Sequence, residues 1–168
     1  MKSIMIIILV MAAVFTAQTQ DDATVHYNKG VNKFNTGDYT GAITEFSKAI
    51  EKDSAFANAY AKRGLAYSIS GNYEAAVDDY SKALEFDPQN GYLYNSRGSA
   101  YNKLEQYSKA LSDFNKALEI NPDDQEAYNN RGFAKKGTGD LDGACDDWKK
   151  SKKLGNNEAK LIMKNNGC

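Results

Sequence analysis

Few residues in this 168-residue chain are of the types that do covalent or metal chemistry: one histidine, two cysteines and 22 aspartates and glutamates. His26 lies 119 positions before Cys145 (145 − 26), and there is no Cys-x-x-Cys, so no activated thiol is signalled. One histidine and two cysteines are too few for a protein-built zinc site. No phosphate loop and no Gly-x-Ser-x-Gly occurs. The acidic pairs Asp78-Asp79, Asp123-Asp124 and Asp146-Asp147 are adjacent, so on a helix they point about 100° apart and cannot face one substrate together. The expectation is a protein that is not an enzyme, with no catalytic or metal-binding residues and no cofactor.

The charges that do recur are of opposite sign. Lys29, Arg63, Arg97 and Arg131 precede Gly30, Gly64, Gly98 and Gly132; Glu45, Asp79, Asp113 and Asp147 precede Phe46, Tyr80, Phe114 and Trp148. If a turn lies midway, each base and its acid are about eight positions from it. Antiparallel helices would bring them level, which predicts a ladder of ion pairs.

Everything that could position these charges repeats every 34 residues. Ala42, Ala76, Ala110 and Ala144 keep that spacing, as do the only two prolines, Pro88 and Pro122 (122 − 88). A fixed period of this length signals stacked helical units. In the second unit Tyr60, Gly64 and Tyr67 fall at i, i+4, i+7, and Tyr73, Ala76, Val77, Tyr80, Ala83 and Leu84 form a second apolar stripe. Between them Gly71 suits a left-handed helix end and Asn72 an N-cap. Gly37-Asp38 and Gly139-Asp140 repeat that turn, but Glu105-Gln106 does not, which predicts a poorer cap there. Glycine inside a helix costs roughly 1 kcal/mol relative to alanine. Its recurrence therefore implies close approach of paired helices, with the aromatic residues filling the space between layers.

The ends differ. Residues 1–20 place Lys2 before the apolar run Ile4–Phe15 and then small or polar residues, the layout of a signal peptide, with cleavage near Ala17. The run is too short for a spanning helix, which needs about 20 residues; retention as an uncleaved anchor is the alternative. An exported chain, periplasmic or extracellular, is expected, and two cysteines in such a chain predict the disulfide Cys145–Cys168. The short leader and an Asn-, Lys- and Tyr-rich composition suggest a bacterial source. Residues 159–168 carry Ala159, Leu161, Ile162 and Met163, which predict a short capping helix with Lys160 and Lys164 toward water. The net charge of −1 argues against a nucleic-acid partner or a dedicated anionic-membrane binder.

Tyr-x-x-x-Gly-x-x-Tyr followed by Ala-x-x-x-Tyr/Phe-x-x-Ala and Pro, every 34 residues, resembles the tetratricopeptide repeat. The units are 23–56, 57–90, 91–124 and 125–158, and the second and third match best. The first has Ser54 and the fourth Asn156 where proline is usual. The resemblance implies an all-α fold, an α-solenoid of four helical hairpins plus the capping helix. It implies a non-catalytic interaction module that binds a peptide or protein segment in a concave groove lined by the first helices. By resemblance that groove is lined by Tyr27, Asn28 and Phe34, then Lys62 and Leu65, then Tyr92, Asn95, Ser99, Asn102 and Lys103, and finally Asn129, Asn130 and Phe133. A structural envelope or scaffolding subunit that self-associates is the alternative. The carboxylate clamp of chaperone-tail-binding members is not reproduced: its positions hold Tyr27, Val31, Lys62, Tyr92 and Ser96 or, one unit later, Ala61, Leu65, Ser96, Glu126 and Asn130. A chaperone-tail ligand is therefore not expected.

Overall fold

Each turn expected from the sequence divides two helices. The computed structural model describes residues 22–168, so the expected signal segment and its cleavage site lie outside the described residues. A first helix, α1, covers residues 22–35. It is followed by α2 (Tyr39–Lys52), α3 (Ala57–Ile69), α4 (Tyr73–Phe86), α5 (Gly91–Lys103), α6 (Tyr107–Ile120), α7 (Gln125–Gly137), α8 (Leu141–Lys153) and α9 (Ala159–Asn165). No strand occurs among the described residues. None of their helices is long and apolar enough to cross a membrane.

The turns work as their residues dictate. Gly71 takes φ +82°, which glycine adopts without a side-chain penalty. Asn72 then caps α4 by accepting from the Ala75 backbone N–H. Asp38 and Asp140 cap α2 and α8 in the same way, through Gly41 and Gly143. At the third turn Glu105 is forced to φ +57°, and Gln106 makes no side-chain cap bond. The weak cap expected at this turn is present, and it carries backbone strain as well.

Packing explains the 34-residue period. An added Cβ at Gly30, Gly64, Gly98 or Gly132 would meet the ring of Phe46, Tyr80, Phe114 or Trp148 at 2.6, 3.1, 2.8 or 2.5 Å. The rings are thus seated directly on the backbone of the facing helix. Ala76 and Ala83, Ala110 and Ala117, Ala144 and Ser151 flank the rings and are fully buried. Ser151, at the last small position of the fourth unit, donates its hydroxyl to the Gln125 carbonyl at 2.7 Å, so its polar atom is satisfied in the core. Hairpins stack in chain order: α2 packs on α3, α4 on α5 and α6 on α7, while α3, α5 and α7 lie side by side. The helices α3, α5 and α7 therefore share one face of the stack.

At the far end α9 lies on α8. Cys145 and Cys168 form a disulfide with their Cα atoms 5.5 Å apart, and Lys136 Nζ donates to Asn166 Oδ1. Ala159 is buried and Lys160 and Lys164 are exposed as expected, but Leu161 is 61% exposed. The helix is held by its bond to Cys145 and by its backbone turn at Gly155 (φ +114°) rather than by a full apolar stripe.

Candidate functional site

The periodic charges form the ladder in three of four units. Arg63, Arg97 and Arg131 each donate from Nε and one terminal nitrogen to both oxygens of Asp79, Asp113 and Asp147, at 2.7–2.8 Å. The other terminal nitrogen reaches back to the preceding hairpin, onto Ser47 Oγ, Ser81 Oγ or Asn115 Oδ1. Each guanidinium also lies over a ring of its own helix, Tyr60, Tyr94 or Tyr128. The carboxylates raise the guanidinium pKa values by hydrogen bonding, so these charges are locked on.

The first unit departs from the expectation for Lys29. His26 occupies the place of the ladder tyrosines, and its Nδ1 sits 2.7 Å from Glu45 Oε2. Lys48 takes the other oxygen at 2.7 Å. These two partners, Lys48 first, hold the Glu45 carboxyl down at about 2. The cause is the residue at position 26: an imidazole reaches the acid, where a tyrosine would stack on the base. Every ladder acid is thus bonded to a basic side chain. Among the described residues no group of three or more His, Cys, Asp or Glu is placed to hold a metal ion.

The candidate site is the face shared by α3, α5 and α7. Depressions lie along it, and three of them adjoin one another. The first, about 210 Å³, is bounded by Leu65, Tyr92, Asn95 and Ser99 with Ser96 and Glu126. The second, about 510 Å³, is bounded by Ser99, Asn102, Lys103 and Phe133 with Tyr107 and Lys136. The third, about 450 Å³, lies between the start of α7 and the loop before α9, with Asn129, Glu126 and Glu158 on its walls. Asn130 borders all three. A bonded amide network forms the floor: Asn130 Nδ2 donates to Asn95 Oδ1 at 3.1 Å, and Asn102 Nδ2 donates to the Asn130 carbonyl at 3.0 Å. Asn95 is consequently 94% buried and is part of the wall, not a free side chain. The Asn129 carbonyl accepts from Trp148 Nε1 at 3.2 Å. The side-chain oxygens of Asn102 and Asn129 are buried with no hydrogen-bond partner.

Of the residues expected to line a groove, Leu65, Tyr92, Asn95, Ser99, Asn102, Lys103, Asn129, Asn130 and Phe133 thus come together around these depressions. Tyr27 instead packs on Phe46 and Phe56, with ring centroids 5.8 and 5.0 Å apart, and Phe34 meets Tyr39 edge-on. Asn28 is exposed and Lys62 half-buried, and neither borders the depressions. Tyr107, Lys136, Gly137 and Glu158 border them without having been expected. The missed signal is Gly137, which stands where earlier units have Ile69 and Lys103. An added Cβ there would lie 2.5 Å from the Tyr107 ring, so the glycine admits that ring to the wall.

Comparison with known proteins agrees with this architecture. The family model described as "Tetratricopeptide repeat" matches residues 57–90 and 91–124; a second of that description matches 114–146, and one described as "TPR repeat" matches 32–68. The first TPR of Spaghetti (RPAP3), solved with the HSP90 peptide SRMEEVD, is 32% identical with TM-score 0.64, over 68% of this chain and 93% of that one. MamA from Desulfovibrio magneticus is 24% identical with TM-score 0.76, over 80% of this chain and 76% of that one. PilF of Pseudomonas aeruginosa is 21% identical with TM-score 0.77, over 89% and 69%. Against the curated protein sequences there is no match.

Proposed function

The chain belongs to the tetratricopeptide repeat family, a fold of protein-interaction modules, and on that premise we propose that it is a non-catalytic binder of an extended peptide or protein segment along the face of its first helices. The observation that carries this reading is the meeting of three depressions at Asn130, on a face where Tyr92 and Phe133 are 56% and 41% exposed. Exposed aromatic rings beside hydrogen-bonding walls suit a segment that supplies both side chains and backbone. The peptide bound by the RPAP3 domain supports this use of the fold. In the second to fourth units the ladder acids and bases satisfy one another, which supports the non-catalytic reading.

The proposed organisation is a removable leader at 1–20, units 23–56, 57–90, 91–124 and 125–158, and a cap at 159–168. The leader-like start and the Cys145–Cys168 bond support export into an oxidising compartment. The test is crosslinking in the native envelope with wild type and with Ser99→Tyr, which puts a ring into two of the depressions. The expected result is loss of the crosslinked partner with an unchanged melting temperature. Identical crosslinks from both proteins would remove the reading.

A further inference from the structure

The two ends of the candidate face differ in charge. The cleft at the C-terminal ends of α5 and α7 has Lys103 and Lys136 on its walls and no carboxylate. The cleft at the N-terminal end of α7 has Glu126 and Glu158 and no lysine, arginine or histidine. By contrast, Lys48, Lys82, Lys116 and Lys149 each sit within 3.2 Å of an acid three residues away on the same helix. Lys136 has an amide oxygen of Asn166 as its partner, which leaves its charge uncancelled. The apolar surface is also asymmetric. Phe133 and the Tyr107 ring stand in the lysine cleft, and Lys103 is shared with a neighbouring hollow beside Ile69, itself 49% exposed.

Resting on the peptide-binding reading above, we infer that the face takes a segment of defined polarity. An acidic residue next to an apolar side chain occupies the lysine cleft, and a basic residue occupies the glutamate cleft. Glu126 and Lys136 are ten helical positions apart, so the charges they present are separated by about 15 Å along α7. An extended chain covers that span in about four to five residues at about 3.3 Å each. The expected motif is therefore an acid and a base four or five positions apart, with a large apolar residue beside the acid. Between them lies the Asn130 region, walled by Ser96, Ser99 and Asn130, whose hydroxyl and amide groups can meet backbone, with Glu126 at its edge. Complementary charge of this kind fixes direction and register more than it adds affinity.

The experiment is to pan a displayed random dodecapeptide library on the purified full chain, then synthesise the enriched peptides and measure binding by anisotropy. The expected outcome is enrichment of the acid–base motif. Affinity should fall at least tenfold in Lys103→Glu/Lys136→Glu and in Glu126→Lys/Glu158→Lys. Panning on the first of these variants should select bases in place of the acid. The neutral pair Lys103→Gln/Lys136→Gln provides the same reading should reversal disturb folding. Enriched peptides without the motif, whose binding is abolished by Ser99→Tyr but unchanged by charge reversal, overturn the inference and leave the peptide-binding reading standing. No enrichment, or peptides that bind Ser99→Tyr as tightly as wild type, overturns both.

Discussion

Replacing Arg97 by alanine tests whether the ladder holds the stack together or decorates it. The Arg97 side chain is 20% exposed and the Asp113 side chain 7% exposed. Removal deletes two charge-assisted bonds to Asp113, one bond to Ser81 on the preceding hairpin and the contact with the Tyr94 ring. The residual Asp113 carboxylate would be buried without a donor from Arg97. Breaking a buried pair from one side costs about 3–5 kcal/mol, and partial solvent access places Arg97→Ala near the lower end, about 3 kcal/mol. For a domain of this size 1 kcal/mol corresponds to about 2–4 °C, so the melting temperature should drop by about 6–12 °C. Lys116→Ala is the matched control. Its partner Glu119 is 70% exposed and three residues away, and the change should stay within about 0.5 kcal/mol. Urea unfolding followed both by helix signal and by tyrosine fluorescence separates whole-chain loss from fraying of single units, since repeat arrays unfold in parts. An Arg97→Ala protein that melts within 2 °C of wild type, by either signal, would refute the reasoning. The replacement Arg97→Met with Asp113→Leu should recover most of the loss, because a packed apolar pair removes the stranded charge.

Three further outcomes follow from particular contacts. Glu105→Gly relieves the +57° backbone angle and should stabilise by about 0.5–1 kcal/mol; adding Gln106→Asp supplies the missing cap for about 1 kcal/mol more, both read by chemical denaturation. Gly132→Ala gains about 1 kcal/mol of helix propensity but brings Cβ to 2.5 Å from Trp148 Nε1, so it should destabilise on balance and shift the tryptophan emission. Glu45 titrates at about 2 instead of 4.5, so its contribution is complete above the unfolded value and is lost as pH falls from about 4.5 through about 2. Amide protection over α1 and α2, taken relative to the intrinsic exchange rate at each pH, should fall across that window in wild type and be flat in Glu45→Gln, while α3–α6 keep theirs.

The sequence revealed most where a residue has the same neighbours in every unit. Each ladder glycine faces the ring sixteen positions later, so its identity is dictated by contact and repeats with it. The turns were legible for the same reason, including the defective one at Glu105. What escaped depends on a change of neighbour. His26 in place of a tyrosine redirects Glu45 away from Lys29, an effect of reach that no spacing rule contains. Leu161 reads as an anchor, but a seven-residue helix tied at one end by Cys168 does not turn it inward. Tyr107 belongs to a second helix and reaches the candidate face because of a glycine in the following unit. First-helix positions alone could not have placed it. Tyr27 and Phe34 fail to join the depressions because aromatic neighbours in their own unit claim their rings.

The backward bond of each ladder arginine has a consequence for how such a chain can grow. Ser47, Ser81 and Asn115 offer the oxygen that receives the next unit's arginine. The fourth position in that series is Lys149, whose ammonium turns to Asp146 and has no lone pair to offer. A unit appended after residue 158, or a second molecule docked there in register, would press its arginine against a like charge. A copy of 57–90 inserted after residue 90 would find both halves of the joint in place. The joint is therefore complementary between the inner units and mismatched at residue 149.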